Sequence, residues 1–331
     1  MKISVDGGGI SSKSSQTFGN GNFVKNFLRA ISEYDKKNQY FIYTFNRDQR
    51  ILDKENLFFQ VLMPATGWMK LRVPFEEFIS PKDIFLAINQ AVPLHSAKKI
   101  ITFSHGLSFY FYKDLYKDYA HLNLQLQQMR NKSTFILVSS LKVKKELQSI
   151  GFDERKVVVA PFGIPYEYKN TTLRKREQFF LFSGMNHPIK NVNFIIQAFS
   201  EVIKLKEFAH FKLHLCGPFE EYESDTIKVV PYSNLKREYQ QASAYLSASF
   251  YESFNFPVLE ALSQNCPVIG MNTAIIPEMR KFVHLASTES EFISHIKTIA
   301  KGKSNKINLK TLQKTFSWNT YVKTVIRLYN E

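Results

Sequence analysis

The sequence predicts an α/β protein with parallel sheets, divided into two domains. Short apolar runs alternate with segments of helical periodicity along the chain, the pattern of strands joined by helices. The chain has 331 residues, which is enough for two domains of typical size. Its 44% of apolar and 22% of charged residues allow substantial cores and exclude a disordered protein.

The apolar runs also predict where the domains divide. In the first half we expect helices over 22–34, 119–131 and 141–150, and strands over 3–5, 40–45, 58–63, 84–88, 100–103, 135–138 and 157–160. Gly163-Ile164-Pro165 stops the last of these strands, and a polar stretch follows at 167–178. Later strands are expected over 179–182, 211–215, 227–230, 244–247 and 267–270. The predicted domains are therefore 1–165 and 166–315, followed by a closing helical segment over 316–331.

Two glutamates, Glu252 and Glu260, carry the strongest functional signal. They follow the small apolar run 242–250, which is typical of a buried parallel strand. Pro257 suits the first turn of a helix, so Glu252 is expected in the strand-to-helix loop and Glu260 in the first helical turn. Amides at such a helix start can hold a diphosphate while a carboxylate accepts hydrogen bonds from a ribose diol. Glutamates also occur in first turns because they complement the helix dipole, so the surrounding residues decide between the two interpretations.

The surrounding residues resemble a known signature. Glu252 through Pro257 and Glu260-Ala261, then Cys266-Pro267-Val268-Ile269 and Pro277-Glu278, are similar to the donor site of family 4 retaining glycosyltransferases, with its E-x7-E spacing. The resemblance implies the GT-B fold, in which two Rossmann-like domains with parallel sheets face each other across a cleft. It also implies a retaining, metal-independent enzyme of the hexosyltransferase type, and a closing helix that crosses back to the N-terminal domain.

Six further landmarks occur in the order that the family has. They are the opening strand 1–5, the glycine-rich segment 18–23, the histidine-bearing strand 100–106, the strands at 137–140 and 157–164, the βα unit at 180–184 with Lys190-Asn191, and Phe316-Ser317-Trp318 near the end. Because they cover almost the whole chain, the resemblance is not confined to one motif.

The resemblance assigns roles to individual residues. Three are expected to be catalytic: Lys190 on the donor diphosphate, Glu252 facing the transferred sugar, and His105 at the donor sugar or the reacting centre. Glu260 is expected to hold the ribose hydroxyls. The full set of donor-binding candidates is Gly21, Gly184, Met185, Asn191, Gly217, Ser253, Phe254, Asn255, Phe256, Leu259 and Glu260.

The chain departs from the family at several of these positions. Met185 stands where the family usually has an arginine that contacts phosphate. Ser253 and Asn255 replace glycines that flank the phenylalanine, and Asn255 tolerates left-handed backbone better than Ser253 does. Gly106 takes a place often held by Asp. We expect the added side chains to narrow the donor-sugar pocket.

Charge and cysteine content limit which partners and which cellular compartment are expected. The net charge of +15 calls for a negatively charged partner. No nucleic-acid-binding motif is present. The resemblance implies an anionic membrane surface as a partner, because acceptors of that family are often lipid-linked, and the helix over 141–150 carries three lysines that could contact it. A surface helix with one buried face fits the same pattern. Cys216 and Cys266 have no metal or disulfide spacing and are expected to be buried thiols.

The leading hypothesis is therefore a glycosyltransferase that uses a UDP- or GDP-sugar and a glycan or lipid-linked acceptor. It needs no other cofactor and no metal, because the acids at 220–225 lack the D-x-D pattern. The expected location is cytoplasmic, with peripheral association at the inner face of the membrane, because the sequence starts directly with a strand and has no signal stretch. A catalytically silent nucleotide-sugar-binding module is the alternative that Met185 motivates. A nucleotide-sugar epimerase fits the glutamate spacing poorly.

Overall fold

The computed structural model describes residues 1–10, 19–46, 54–97, 99–172 and 174–331. Phe18 of the predicted glycine-rich segment lies outside these described residues. The chain forms two compact units, Met1–Gly163 together with Ser317–Glu331, and Ile164–Phe316. Among the described helices, none has the length and apolar character needed to cross a membrane.

The first unit is built on one parallel sheet. Its strands are β1 (Lys2–Asp6), β2 (Gln39–Thr44), β3 (Leu57–Val61), β4 (Ile84–Ala87), β5 (Lys99–Ser104), β6 (Phe135–Val138) and β7 (Val157–Val159). They lie in the order β3-β2-β1-β4-β5-β6-β7. The chain first extends the sheet on one side of β1 and then returns to the other side at β4. The carboxyl ends of β1 and β4 therefore flank a topological switch point, where ligands of such sheets bind.

Helices cover this sheet. They are α1 (Asn20–Tyr34), α2 (Val73–Ile79), α3 (Ser108–Phe111), α4 (Tyr119–Lys132) and α5 (Leu141–Ser149). A π-helical turn at Trp68–Arg72 leads directly into α2. The sequence prediction missed this helical segment because several of its large apolar side chains face outward, which obscures the amphipathic pattern.

The prediction for Gly21 was wrong in one respect. It was placed in a glycine-rich loop before a helix at residue 22, but α1 begins at Asn20, so Gly21 lies in the first helical turn. The Phe23 N–H donates to the carbonyl oxygen of Gly19 at 3.0 Å and closes that turn. The positive φ of 43° at Gly19 makes this the residue at which the backbone enters the helix.

The second unit repeats the design with six parallel strands. They are β8 (Phe179–Ser183), β9 (Lys212–Cys216), β10 (Ile227–Val230), β11 (Ala244–Ser247), β12 (Val268–Met271) and β13 (His284–Ala286), in the order β10-β9-β8-β11-β12-β13. Its helices are α6 (Val192–Ile203), α7 (Leu235–Gln241), α8 (Phe256–Ser263), α9 (Glu289–Ala300) and α10 (Leu309–Thr315). Here the switch point lies between β8 and β11.

Aromatic side chains fill much of both cores. In the second unit, Phe180, Phe182 and Phe199 are at most 1% exposed and pack with residues from β9, α6 and α9. Cys216 and Cys266 are buried free thiols, as expected, and burial raises the pKa of each to about 12. Neither thiol is therefore activated as a nucleophile near neutral pH.

The last helix, α11 (Trp318–Asn330), belongs to the first unit. Its N-cap is Ser317, whose hydroxyl accepts a hydrogen bond from the Thr320 N–H. At its other end Lys99 donates to the carbonyl oxygens of Leu328 and Tyr329 at 3.3 and 2.9 Å. This ammonium satisfies carbonyls that the helix terminus cannot pair and complements the helix dipole.

Candidate functional site

Most of the predicted donor residues lie at the carboxyl ends of β8, β9 and β11 in the second unit. Gly184 and Gly217 directly follow β8 and β9, and Glu252 lies in the loop after β11. Because β8 and β11 are neighbours at the switch point, side chains from separate parts of the sequence come together there. His105 and Gly21 belong to the first unit and are described below.

Lys190 and Glu252 form the central ion pair of this site. The Lys190 Nζ lies 2.7 Å from Glu252 Oε1, and the two side chains are 23% and 12% exposed. The Ser249 hydroxyl donates to the same oxygen at 2.8 Å. Within the described part of the chain, the hydrogen bonds from Lys190 and Ser249 are thus both accepted by the Oε1 atom of Glu252. The pair is shielded yet reachable, so a bound anion can compete with Glu252 for the ammonium.

Local backbone structure explains why Lys190 stands there. A short 3₁₀ turn at Pro188–Lys190 ends at Asn191, which has a left-handed backbone (φ 54°) and precedes α6. The Asn191 side-chain amide donates to the Ala248 carbonyl oxygen at 3.3 Å, and the Phe250 N–H donates to the Ile189 carbonyl oxygen at 2.9 Å. These bonds join the loop after β8 to the loop after β11. Asn191 thus fixes the position of its neighbour Lys190.

The loop before α8 keeps its shape despite the two missing glycines. Asn255 has the left-handed conformation (φ 69°), whereas Ser253 is not among the described non-glycine residues with positive φ. The Asn255 side chain accepts from the Val258 N–H at 3.3 Å and donates to Ser247 Oγ and the Ala274 carbonyl oxygen, both at 3.0 Å. It is the N-cap of α8 and is 5% exposed. Its side chain is therefore held inside the protein, contrary to the expectation that it narrows the sugar pocket.

The aromatic and aliphatic candidates of this loop serve mainly as packing. Phe254 is 2% exposed and its ring lies 5.1 Å from that of Phe256. Leu259 is fully buried in α8. Ser253 and Phe256 are half-buried. These residues support the loop that carries Glu252, and no side-chain contact to a ligand follows from their positions alone.

Glu260 lies deeper than predicted. It is the fifth residue of α8, whose first turn contains no acidic side chain, so its placement in the first turn was wrong. The helix starts at Phe256 because Asn255 caps it, which puts Glu260 one turn further in. It is 7% exposed, and burial raises the pKa of its carboxyl to about 7.

A chain of hydrogen bonds links Glu260 to β8. The Tyr239 hydroxyl donates to Glu260 Oε2 at 3.2 Å and lies 3.0 Å from Ser183 Oγ. Next to Ser183, the Gly184 carbonyl oxygen accepts from the Tyr232 hydroxyl at 2.7 Å. The sequence did not point to these tyrosines, because nothing in their spacing shows that α7 brings Tyr239 to Glu260 or that the turn before it brings Tyr232 to Gly184.

Gly217 is required by close approach to Gly184. A Cβ at Gly217 would lie 2.2 Å from the Gly184 carbonyl oxygen, and its φ of 149° is disfavoured for other residues. A Cβ on Gly184 would meet only the Phe182 ring, at 3.4 Å. Met185, which follows, is 43% exposed. Its exposure leaves room at this position for the longer arginine that it replaces.

His105 follows β5 in the first unit, at the strand end that the sequence indicated. Its Nε2–H donates to the carbonyl oxygen of Ile88 at 2.6 Å, so Nδ1 carries the lone pair when the ring is neutral. Burial lowers the pKa of this histidine, which favours the neutral form near pH 7. Its ring contacts Phe23 of α1 edge-on, with the centroids 5.0 Å apart. The imidazole is held rigidly and is suited to accept a hydrogen bond through Nδ1.

Buried polar atoms at the ends of β1, β4 and β5 form a further group that the sequence did not single out. Asp6 Oδ2, Asn89 Oδ1 and Ser104 Oγ are buried without a hydrogen-bond partner in the structure. Asp6 is 1% exposed, and burial raises the pKa of its carboxyl to about 6. Its other oxygen accepts from the Gly8 N–H at 2.9 Å. The feature of the sequence that could have revealed this group is an acidic residue at the end of a parallel strand, a position that often faces a ligand.

Comparisons with known proteins address the fold first. The chain is similar to a sucrose-phosphate synthase from Thermosynechococcus elongatus, with a TM-score of 0.73 at 13% identity, over 99% of this chain and 98% of the other. It is also similar to HepE from Anabaena, solved in complex with UDP and glucose, with a TM-score of 0.69 at 10% identity over 100% of both chains. The fold is GT-B. At these identities the likeness shows the fold alone.

Two further comparisons with this GT-B protein are based on sequence. Residues 177–301 match the family model described as "Glycosyl transferases group 1". A relative, the O-antigen chain mannosyltransferase B of Escherichia coli, is 28% identical over 30% of this chain and 30% of its own length. Together with the fold, these matches support a GT-B glycosyltransferase. The region that matches the family model, residues 177–301, contains both the Lys190–Glu252 pair and Glu260.

Proposed function

We propose that this protein is a retaining glycosyltransferase that moves a hexose from a UDP- or GDP-sugar to a glycan or lipid-linked acceptor. The observation that carries the proposal is the Lys190–Glu252 ion pair, 2.7 Å long, at the switch point of the unit that matches group 1 glycosyl transferases. The named relatives, an O-antigen mannosyltransferase and a protein solved with UDP and glucose, support a role in cell-surface polysaccharide or glycolipid synthesis.

In the proposed reaction, Lys190 binds the diphosphate of the donor. Its ammonium offsets the charge that grows on the leaving phosphate as the bond to the anomeric carbon breaks. Asn255 already takes the Val258 N–H and Pro257 has none, so the first turn of α8 has fewer amides for an anion than a typical helix start. Lys190 therefore provides a larger share of the diphosphate binding.

Glu252 is proposed to face the transferred sugar. When the diphosphate draws Lys190 away, the carboxylate loses its ionic partner and its charge becomes available to an oxocarbenium-like transition state. The Ser249 hydroxyl, 2.8 Å away and 2% exposed, keeps the carboxylate oriented during this exchange. Glu260, supported by Tyr239, is proposed to accept hydrogen bonds from the ribose. In the first unit, His105 is proposed to contact the reacting sugar through Nδ1.

The buried oxygens of Asp6, Asn89 and Ser104 are proposed to serve the acceptor. When Asp6 is ionised, its Oδ2 atom and the Asn89 Oδ1 atom act only as hydrogen-bond acceptors. They therefore suit a ligand that carries hydroxyl groups. A buried polar atom without a partner costs free energy, which a bound hydroxyl would recover. The presence of such atoms at a switch point supports this assignment.

The test is transfer and slow donor hydrolysis with a panel of UDP- and GDP-sugars, with the product anomer assigned by NMR. Glu252→Gln should lower turnover at least 100-fold with little change in nucleotide affinity. Lys190→Ala should lower both turnover and nucleotide affinity. The matched control is the exposed Lys204–Glu201 pair on α6, where Lys204→Ala and Glu201→Gln should leave both quantities unchanged. Inversion at the anomeric carbon would contradict the retaining mechanism.

Met185 favours a second candidate, a nucleotide-sugar-binding module without catalysis. Without the usual arginine, the diphosphate loses a bidentate contact. If the site is catalytic, Met185→Arg should raise donor affinity or turnover by up to about 100-fold, because a guanidinium adds charge-assisted bonds beside Lys190. Nucleotide binding without hydrolysis or transfer, in both the native protein and this variant, would establish the binding module instead.

The membrane is the remaining proposed partner. The net charge of +15 supports attraction to anionic lipid, with a peripheral position on the inner face of the membrane. The lysines of α5 are less available than the sequence suggested. Lys144 is paired with Glu154 at 3.5 Å, and Lys142 is half-buried, so only Lys145 of the three is exposed. A different surface has to provide most of the contact.

A further inference from the structure

The helix over residues 68–79 presents large apolar side chains to solvent. Leu71, Phe75, Phe78 and Ile79 are 69%, 54%, 74% and 61% exposed, and we call these four residues the apolar ridge. Their spacing of i, i+4, i+7 and i+8 places them on one face of a helix. The opposite face is anchored, because Val73 is fully buried and Glu77 is 1% exposed. The ridge is therefore a stable surface and not a frayed end.

Further apolar side chains are exposed on β3 and just after it. Phe58 and Val61 of β3 and the adjacent Met63 are 39%, 40% and 53% exposed, and β3 is the edge strand of the sheet. The four ridge side chains alone expose on the order of 400–500 Å² of apolar area, since a large side chain offers about 150–250 Å². Proteins that stay monomeric in water rarely expose patches larger than a few hundred Å². A patch of this size is often a functional surface.

The exposed charged residue of the ridge helix, Lys70, is basic, and its acids are half-buried or buried. Lys70 is exposed, and the Arg72 guanidinium lies 5.6 Å from the centroid of the Phe75 ring. The acid on the same helix that could oppose them, Glu77, points inward and accepts hydrogen bonds from the Tyr43 hydroxyl at 2.6 Å and the Ala97 N–H at 3.1 Å. Glu76 is half-buried, 3.5 Å from the Gln60 amide. The outward surface therefore combines apolar side chains with cations.

This combination discriminates between the two kinds of partner that an apolar face admits. A second copy of the chain would also carry a charge of +15, so the copies repel each other. A lipid surface with anionic headgroups attracts the same charge and accepts the apolar side chains below the headgroups. Phenylalanines on one face and cations at its border are the composition of helices that lie in a membrane interface.

We propose that the apolar ridge inserts into the interface of an anionic membrane, with Lys70 and Arg72 at the level of the lipid phosphates. This extends the proposed function, since it gives the surface by which the protein would reach a lipid-linked acceptor. It rests on that function only for its biological purpose, because the membrane contact itself is independent of catalysis.

The experiment compares binding to vesicles of phosphatidylcholine with and without phosphatidylglycerol. Leu71→Ser with Phe78→Ser should lower the partition coefficient on anionic vesicles at least tenfold. A control with the same residue types elsewhere, Phe111→Ser with Leu205→Ser, should stay within twofold, since these side chains are also exposed, at 46% and 41%, but lie outside the ridge. Equal loss in both double variants, or no loss in the ridge variant, would overturn the proposal.

Tryptophan quenching locates the contact independently. The chain has two tryptophans, and Trp68 lies at the start of the ridge helix whereas Trp318 starts α11. Brominated phosphatidylglycerol should quench the fluorescence of a Trp318→Phe protein strongly and that of a Trp68→Phe protein weakly. The reverse pattern would place the membrane contact elsewhere. Circular dichroism of each variant confirms that it is folded.

Two further readouts separate this proposal from its alternatives. Sedimentation of the native protein without lipid should show a monomer; a dimer that the ridge variant dissociates, with vesicle binding unchanged, would assign the ridge to self-association. Donor hydrolysis in the absence of lipid should be the same in the native and ridge variants. If hydrolysis is absent in both but vesicle binding depends on the ridge, the proposed function fails and the membrane surface stands.

Discussion

At the scale of single residues, the candidate site depends on carboxyl groups held in different environments. Glu252 is partly exposed and ion-paired, whereas Glu260 is buried and has one tyrosine donor. Burial raises the pKa of Glu260 to about 7, so its carboxyl is only about half ionised near neutral pH. A group that faces a ribose hydroxyl works in either form, because a neutral carboxyl still accepts and can also donate.

Glu260 gives the first prediction in terms of stability. Its pKa is higher in the folded protein (about 7) than the ordinary value of 4.5, so its contribution to stability is fully present below pH 4.5 and is lost as pH rises to 7. Relative to Glu260→Gln, the native protein should lose about 1.4 kcal/mol of unfolding free energy per pH unit across this window. Denaturant unfolding at pH 5, 6, 7 and 8 measures it. A constant difference between the two proteins would show that the carboxyl is not buried as described.

Glu260 also tests the donor site. Glu260→Ala should weaken UDP or GDP binding by roughly 1.5–3 kcal/mol for each hydrogen bond that it removes. Isothermal titration calorimetry gives the affinity, and Glu201→Ala, at an exposed acid of α6 outside the donor signature, serves as the control. Unchanged affinity for both nucleotides in Glu260→Ala would exclude this residue from the site.

At the scale of elements, the junction of β11 and α8 determines where Glu252 stands. A single residue, Asn255, turns the chain into the left-handed region, caps α8 and bonds to β11 through Ser247. In the related signature a glycine takes this position and supplies only the backbone conformation. The asparagine side chain adds the cap and the bond to the strand, which explains how this chain tolerates the exchange.

Asn255 gives an element-scale prediction. Asn255→Ala should be about 1–2 kcal/mol less stable than Asn255→Gly, because both variants lose the cap and the bonds to Ser247 and Ala274 but only alanine is strained in left-handed backbone. Asn265 is a matched control, since it has a φ of 60° at the C-terminal end of α8 and is not an N-cap, so Asn265→Ala should show the backbone cost of about 1–2 kcal/mol. Chemical denaturation measures all three. Equal stability of the glycine and alanine variants at 255 would contradict the assigned conformation.

At the scale of the whole molecule, all the donor-binding candidates except Gly21 belong to the second unit, while His105 and the buried oxygens near Asp6 belong to the first. A ligand that binds only the native state stabilises it by about 2.7 kcal/mol at 100 times its dissociation constant. If the donor nucleotide binds as proposed, this stabilisation begins in the second unit.

Hydrogen exchange tests that distribution. With saturating UDP or GDP, peptides covering 183–192 and 250–260 should exchange more slowly, because the loops after β8 and β11 hold the nucleotide. Lys190→Ala should reduce this effect at the same nucleotide concentration. Slowing confined to peptides of the first unit would place the nucleotide site elsewhere.

The sequence by itself determined the architecture and the candidate chemistry. Buried parallel strands are continuous apolar runs, so β1, β8 and β11 lie where those runs predict them, and the GT-B fold is confirmed. Glu252, Lys190 and His105 were singled out by the resemblance to family 4 glycosyltransferases together with their places after predicted strands, which are local features of the sequence. Their catalytic and binding roles remain predictions.

Only the tertiary structure decided which residues meet. The Lys190–Glu252 pair and the Tyr239–Glu260 bond join residues 62 and 21 positions apart, which parallel strand order brings together and local pattern cannot show. The tertiary structure also decided which apolar side chains are exposed to solvent. The apolar ridge is a run of hydrophobic residues that sequence alone would place in a core, because periodicity tells which residues share a face but not whether another element covers it.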